Sequence, residues 1–385
     1  MNDEGEELEM VALTFTAKRQ KDQPVQARQL EVPYADELFT TTATAYNHDL
    51  AQLSVVMAAS AYTRSENSVG VGYAADNLQA LGFTAIDFGR EIVDDPNNVA
   101  FTLGYKQLVD RNVFAVIIRG TPKSAEWAGD FMIGDDDAPG MANMLLIGQT
   151  IMTQLQAYMQ EVGRNDLPNA FWVTGHSRGG SATEVVGKLL IDTDETDVYA
   201  YAFAPTNTYK LVANVDFAGQ YAQVHAIINP LDAAPQFPLE KWGFTHVGQQ
   251  HYFPLTAFAD MTAYYEKINQ QPFPANQIED QAKLNRGLQL YYALAPSVHD
   301  FYHAQTPWWN GGTMTPYEWI QDMMLGTQGQ EIPARTMNVM AYVKTHPIYA
   351  KLFQHLANDG NNSFEHTVTT YISFMAVLEA DWVND

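Results

Sequence analysis

The stretch Gly175-His176-Ser177-Arg178-Gly179-Gly180 combines residue types and spacing suited to covalent chemistry. It lies between a short apolar run, Ala170 to Val173, and a segment in which Ala182, Val185, Val186, Leu189 and Leu190 recur at the spacing of a helix burying one face. A strand before the serine and a helix after it describe a nucleophile elbow, in which glycines let strand and helix close on each other while the hydroxyl stays exposed. A Gly-rich strand-to-helix turn without chemistry is the plain alternative. Hydroxyl attack at neutral pH needs a base beside the serine and an acceptor that orients the base. Two further side chains must therefore converge on Ser177.

Asp232 is the candidate acceptor. Asn229-Pro230-Leu231-Asp232 follows the apolar run Val224 to Ile228, and the carboxyl ends of strands are where catalytic groups gather in open α/β sheets. A turn or helix-capping aspartate is the competing reading. Ten histidines are available as bases. His225 lies inside an apolar strand, His246 and His251 follow Asp232 too closely for an easy return to the elbow, and His346, His355 and His366 fall in a helical tail. His299 and His303 remain. In His299-Asp300-Phe301-Tyr302-His303 the two histidines would share a helix face, as zinc ligands do. Asp300 stands where a metalloprotease needs Glu, and no third ligand is indicated, so no metal is expected. The developing oxyanion needs two preset N–H donors. Arg178, next to the nucleophile, is one candidate. Thr121, in the turn Arg119-Gly120-Thr121 after the apolar run Val113 to Ile118, is the other, and its hydroxyl could add a bond.

The elements that must hold these groups read as alternating strands and helices. Asn47 caps a helix carrying Leu50, Leu53, Met57 and Ala61, and a second helix from Tyr73 to Leu81 ends at Gly82. Phe83 to Phe88 reads as a strand. Phe101 to Val109 and Val113 to Ile118 suggest a hairpin, and a helix bearing Ile151, Met152, Leu155, Met159 and Val162 leads to the elbow. Tyr199 to Ala204 and Val224 to Ile228 add strands, which argues for a mostly parallel α/β sheet. Beyond Phe253 the pattern becomes helical, through Met261 to Asn269, Ile278 to Leu294, and from about Tyr317 onward.

Among 385 residues, 46% are hydrophobic, enough for a large core, and a formal charge of -24 argues against nucleic acid or anionic lipid as partners. Contact with a lipid interface would have to use an apolar face. The absence of cysteine excludes disulfides and thiolate catalysis. No apolar run reaches the roughly 18 residues of a membrane-spanning helix, and the acidic start is unlike a signal peptide. Exported and cytoplasmic readings both survive, with export slightly favoured, and oligomeric state is undetermined.

The ordered blocks Phe114-Ala115-Val116-Ile117-Ile118-Arg119-Gly120-Thr121, Trp127 with Asp130, the elbow, Phe203-Ala204-Pro205, and Ile227 to Asp232 with the later Phe244-Thr245-His246-Val247-Gly248 resemble the class 3, fungal-type lipase family and its bacterial relatives over about residues 45 to 305. The resemblance implies an α/β-hydrolase fold, a mostly parallel central sheet flanked by helices, with helical additions toward the C-terminus. It implies Ser177 as nucleophile, Asp232 as orienter and Thr121 with Arg178 as oxyanion hole. His299 becomes the base, because His299 with Tyr302 looks like the family's His-x-x-Tyr pattern. His246 matches a histidine the family keeps near the aspartate and does not use as base.

The expected organisation is an arm or edge strand over 1–30, a hydrolase domain over 31–325 and a helical extension over 326–385 packed on it. The expected activity is serine ester hydrolysis on acylglycerol or other lipid esters, without a cofactor. Acyl transfer or thioester cleavage by the same residues, and a non-catalytic binding module, are the alternatives. The Met-rich segment Glu126 to Leu146 reads either as a lid or as packing for the next helix, and Trp308-Trp309 as an acyl-pocket wall or as core.

Overall fold

The three-dimensional structure is a computed structural model. It describes residues 8–17, 26–62, 72–88, 99–121, 130, 132–134, 137–162, 166–195, 197–273, 295–309, 312–318 and 366–384. Trp127, Phe131 and the helix expected over Ile278 to Leu294 lie outside the described residues, as do the side chains of Trp308 and Trp309.

In chain order the main elements are β1 (Glu9–Ala17), β2 (Gln26–Tyr34), α1 (His48–Ser60), α2 (Ala74–Ala80), β3 (Thr84–Phe88), β4 (Phe101–Gln107), β5 (Asn112–Ile118), α3 (Ala142–Glu161), β6 (Asn169–His176), α4 (Arg178–Asp192), β7 (Asp197–Phe203), β8 (Val224–Ile228), β9 (Gln249–Tyr252), α5 (Phe258–Asn269), α6 (Val298–His303) and α7 (Val368–Val377). Seven strands form one sheet in the order β9-β8-β7-β6-β5-β4-β3. From β5 to β9 every neighbouring pair is parallel, while β4 and β3 extend the sheet antiparallel. The hairpin expected around residue 110 is the β4–β5 pair.

The parallel strands read as unbroken apolar runs because helices cover both of their faces. β5 shows the division. Val113, Ala115 and Ile117 join a core with α1, while Phe114, Val116 and Ile118 join a second core with α3 and α4, as the two-residue period of a strand requires. On the second face Met144, Ile147, Ile151 and Leu155 of α3 pack with Ala182, Val185, Val186 and Leu190 of α4. On the first, α1 is held at its start by the Asn47 side chain, which accepts from the Leu50 amide at 2.9 Å. It is buried almost all round, because the sheet, α7 and the β1–β2 ladder each cover part of it. Its Ser54 hydroxyl accepts a 2.8 Å bond from the Trp172 indole, so neither buried polar group is left without a partner.

The strand expected near Val11 to Thr16 is present, yet it pairs with β2 in a separate antiparallel ladder and not with the edge of the main sheet. The boundary expected at residue 30 falls inside β2, and Leu13 and Phe15 belong to the same core as α1. At the other end of the chain, α7 packs against α1 and α5. Among the described residues no helix is long and apolar enough to cross a membrane.

Candidate active site

The carboxyl edge of the sheet brings together the turns that carry Thr121, Ser177 and Asp232. β5 runs into Arg119-Gly120-Thr121, β6 into Ser177, and β8 into the Asn229–Asp232 turn. At the elbow Ser177 takes φ 60° and ψ -126°, a left-handed conformation that costs a non-glycine residue about 1–3 kcal/mol. Its amide donates to the Phe203 carbonyl at 2.9 Å and its carbonyl accepts from the Ser181 amide at 2.9 Å, so the strain is held by β7 on one side and α4 on the other. The glycines around it are a matter of space. A Cβ on Gly175 would run into the Gly179 backbone, and one on Gly179 would lie 2.5 Å from the Ile118 carbonyl oxygen. Helix α4 thus rests directly on the turn that carries Thr121.

The base expected at position 299 is not the histidine beside the serine. His366 Nε2 lies 2.8 Å from Ser177 Oγ, and His366 Nδ1 lies 2.7 Å from Asp232 Oδ2. Asp232 is fully buried, and an ionised carboxylate only accepts. That places the imidazole proton on Nδ1 and leaves Nε2 free to accept from the serine hydroxyl. Two further donors hold the carboxylate. The Ala234 amide reaches Oδ1 at 2.9 Å and the Tyr371 hydroxyl reaches Oδ2 at 2.9 Å. Burial, and next the Asp232 charge, push the Tyr371 phenol well above its ordinary range, so it remains a donor. Tyr371 Oη also accepts from the Asn229 amide at 3.1 Å, tying α7 to the turn that presents Asp232.

His366 precedes the cap of α7, Thr367, whose side chain accepts from the Thr370 amide. Every residue from Val368 to Met375 is buried. Docking of that buried, uncharged helix is what delivers the histidine to the elbow. His299 sits on the exposed side of α6, its ring 4.8 Å from that of His303, which is also exposed. Val298 and Phe301 face the core, while positions 299 and 303, one turn apart, share the solvent face. Tyr302, which completes the His-x-x-Tyr pattern with His299, accepts from the Ile133 amide at 2.7 Å.

Thr121 and Arg178 are brought together by Asp130. Thr121 Oγ1 donates to Asp130 Oδ2 at 2.7 Å, and Arg178 Nη1 lies 2.6 Å from Asp130 Oδ1. Burial raises the Asp130 pKa, opposed by the Arg178 charge and the Thr121 hydroxyl. With its hydroxyl proton directed at Asp130, Thr121 has its backbone N–H as the group to offer an oxyanion. Other described histidines are engaged away from Ser177. Buried His246 meets buried Glu184 at 2.9 Å, and His225 of β8 meets His251 of β9 at 3.1 Å. Met141 and Met144, from the segment read as lid or packing, are core residues, while Met132 and Leu146 are exposed. No group of three or more candidate metal ligands occurs among the described residues.

Residues 115–242 match the class 3 lipase family model. That span includes Thr121, Asp130, Ser177, Arg178 and Asp232 and ends before either histidine. No curated protein sequence matches the chain. Similar solved structures include a Rhizomucor miehei triacylglyceride lipase (15% identity, 57% of this chain and 82% of that one, TM-score 0.39) and an Aspergillus oryzae mono- and diacylglycerol lipase (16%, 55% and 81%, 0.39). A Rhizopus microsporus var. chinensis lipase is a third (14%, 63% and 82%, 0.38). The sheet order and the elbow carry the fold assignment without them. Over the segment that bears the elbow, the Thr121 turn and Asp232, the chain is similar to the class 3 lipases, and its mostly parallel sheet flanked by helices is an α/β-hydrolase fold.

Proposed function

We propose that Ser177, His366 and Asp232 form the catalytic triad of a lipase that acts on acylglycerol or other lipid esters. The observation that carries this reading is the unbroken hydrogen-bonded line from Ser177 Oγ through both nitrogens of His366 to Asp232. Ser177 Oγ attacks the ester carbonyl carbon while His366 Nε2 takes the hydroxyl proton. The carbonyl π electrons move to oxygen, where the backbone N–H groups of Thr121 and Arg178 receive the charge. Collapse of the tetrahedral species breaks the bond to the alkoxy oxygen, which leaves as alcohol with the proton from His366. Water, deprotonated by the same nitrogen, then releases the carboxylic acid and restores Ser177. Asp232 fixes the tautomer and stabilises the imidazolium in both halves.

Lipid as substrate class is supported by exposed apolar side chains at the carboxyl edge. Met132, Leu146, Leu211 and Val212 are all exposed, on segments joined by hydrogen bonds from the Asn143 amide to the Met132 carbonyl and from the Lys210 amide to the Pro139 carbonyl. With a net charge of -24, such a rim suits an uncharged lipid surface and not an anionic one. Export belongs to the same reading, and recovery of the protein from culture medium tests it.

The deciding assay is hydrolysis of p-nitrophenyl esters of increasing acyl length, below and above their solubility limit, by the protein and by Ser177→Ala. Serine-dependent turnover that favours long chains and rises with aggregated substrate is expected. Near-normal turnover by Ser177→Ala overturns the triad. A preference for short soluble esters overturns the lipid substrate.

A further inference from the structure

His176 lies next to the nucleophile and has no part in the reaction as written above. Its ring is buried, and a buried imidazole is costly unless hydrogen-bonded. Nδ1 lies 2.7 Å from the Tyr62 hydroxyl, which arrives from the end of α1. The other side of the ring packs against the site. Its centroid is 5.0 Å from that of His366, with the planes tilted by 40°, and 5.4 Å from that of Tyr371, in a near-perpendicular contact. The Tyr62 hydroxyl also occupies the space above Gly120, where a Cβ would collide with it. One phenol therefore abuts the turn that carries Thr121 and, through His176, the ring of His366.

We propose that Tyr62 and His176 are a positioning pair that fixes the plane of His366 and the oxyanion turn together. The proposal rests on the triad reading. Hydrogen bonds to Asp232 and Ser177 hold the two nitrogens of His366, but an imidazole anchored at two points in its own plane can still rock about the line between them. A wall against its face removes that freedom, and His176 is such a wall, kept upright by Tyr62. Because the same hydroxyl presses on Gly120, a shift of the pair misaligns base and oxyanion donors at once. Small misplacements matter, since a displacement of about 1 Å costs on the order of 100-fold in rate. In the reaction as written both side chains act through His366 and the Thr121 turn and neither binds the ester, so the loss should appear in kcat and not in KM.

The test is steady-state kinetics on a soluble p-nitrophenyl ester for Tyr62→Phe, His176→Phe and the double variant, with thermal unfolding of each and Ser177→Ala alongside. Tyr62→Phe keeps the ring and removes the bond. It should lower kcat about tenfold, leave KM within about twofold, and leave the unfolding midpoint within a few degrees. The double variant should be no slower than the worse single variant, because both singles break one shared bond. An unchanged kcat in Tyr62→Phe, or a double variant whose loss is the product of the singles, overturns the proposal. If His176→Phe does not fold, Tyr62→Phe decides alone. Full activity in Ser177→Ala would instead overturn the triad, whereas an inactive Ser177→Ala beside a fully active Tyr62→Phe sinks only the positioning pair.

Discussion

Helices α6 and α7 each present a histidine beside a capped N-terminus, and only one of them reaches the elbow. α6 is a short amphipathic helix with Val298 and Phe301 inward and His299 and His303 outward. α7 is uncharged, buried on nearly every side and sunk between α1 and α5, with His366 just ahead of its cap. A general base must be held to within fractions of an ångström, and rigid burial of the supporting element provides this. An outward side chain on an exposed surface has no such support. What separates the two histidines is the packing of the helices behind them, and less the residues around them in sequence.

The sharpest way to break this comparison is to remove His366. His366→Ala should lower kcat on a soluble ester by on the order of 10⁴-fold or more, with the fold intact by circular dichroism. Asp232→Asn leaves the shape but not the tautomer preference, and should cost about 10³–10⁴-fold in kcat. A loss below tenfold in either variant would remove the residue from the triad. Asp130→Ala comes next. It separates the Thr121 hydroxyl from the Arg178 guanidinium, and a loss of about 100-fold in kcat is expected from disordered oxyanion donors. Arg178, buried and deprived of its carboxylate, should bring a destabilisation of about 3 kcal/mol, read from denaturant titration.

A buried pair of histidines extends the comparison to acid stability. His225 and His251 are buried, and they face each other, Tyr46, Tyr201 and Trp382, with the Ala43 carbonyl on His225. Burial pulls His225 down to about 3, helped by His251, and pulls His251 down to about 4. The unfolded chain protonates both near pH 6.5 and the folded chain does not, so it is the unfolded state that binds more protons below that pH. Their contribution is complete above about pH 6.5. It should decline as the pH falls toward 4 and then 3, by about 1.4 kcal/mol per pH unit for each histidine. Glu184 and Asp130, raised by burial, act in the opposite sense. The measurement is therefore a difference, the pH dependence of stability in the protein minus that in His225→Phe/His251→Phe. A flatter profile in the double variant is expected, and an unchanged one would remove the pair from the acid response.

Much of this architecture is legible in the residues. Unbroken apolar strands, the elbow glycines, the Asn47 cap and the two turns bearing Thr121 and Asp232 are local features, each set by a few neighbours. His366 is not local. It is brought to Ser177 across 189 positions by the burial of α7, and a helix that is buried all round shows no polar stripe to say which elements cover it. One signal was available. Thr367-Val368-Thr369-Thr370-Tyr371-Ile372-Ser373-Phe374-Met375 is a run without charge, which marks a fully buried helix, and a histidine at the head of a fully buried helix is a candidate for a protected site. The pattern against His299 was equally present, since Val298 and Phe301 as the inward pair turn positions 299 and 303 to solvent.

The smallest effect falls on His299, and there the comparison is most exposed to contradiction. His299→Ala removes a side chain that lies on the solvent face of α6 and touches the ring of His303. The cap of that helix, the Ser297 side chain accepting from the Asp300 amide, and its inward residues Val298 and Phe301 are left in place. Surface changes of this kind stay within about 0.5 kcal/mol of stability. Turnover of a soluble ester should remain within about twofold, and fluorophosphonate labelling of Ser177 should proceed at the parent rate. A loss of a hundredfold or more in kcat, with the unfolding midpoint unmoved, would mean that α6 swings onto the elbow during the reaction and that His366 holds the site only at rest.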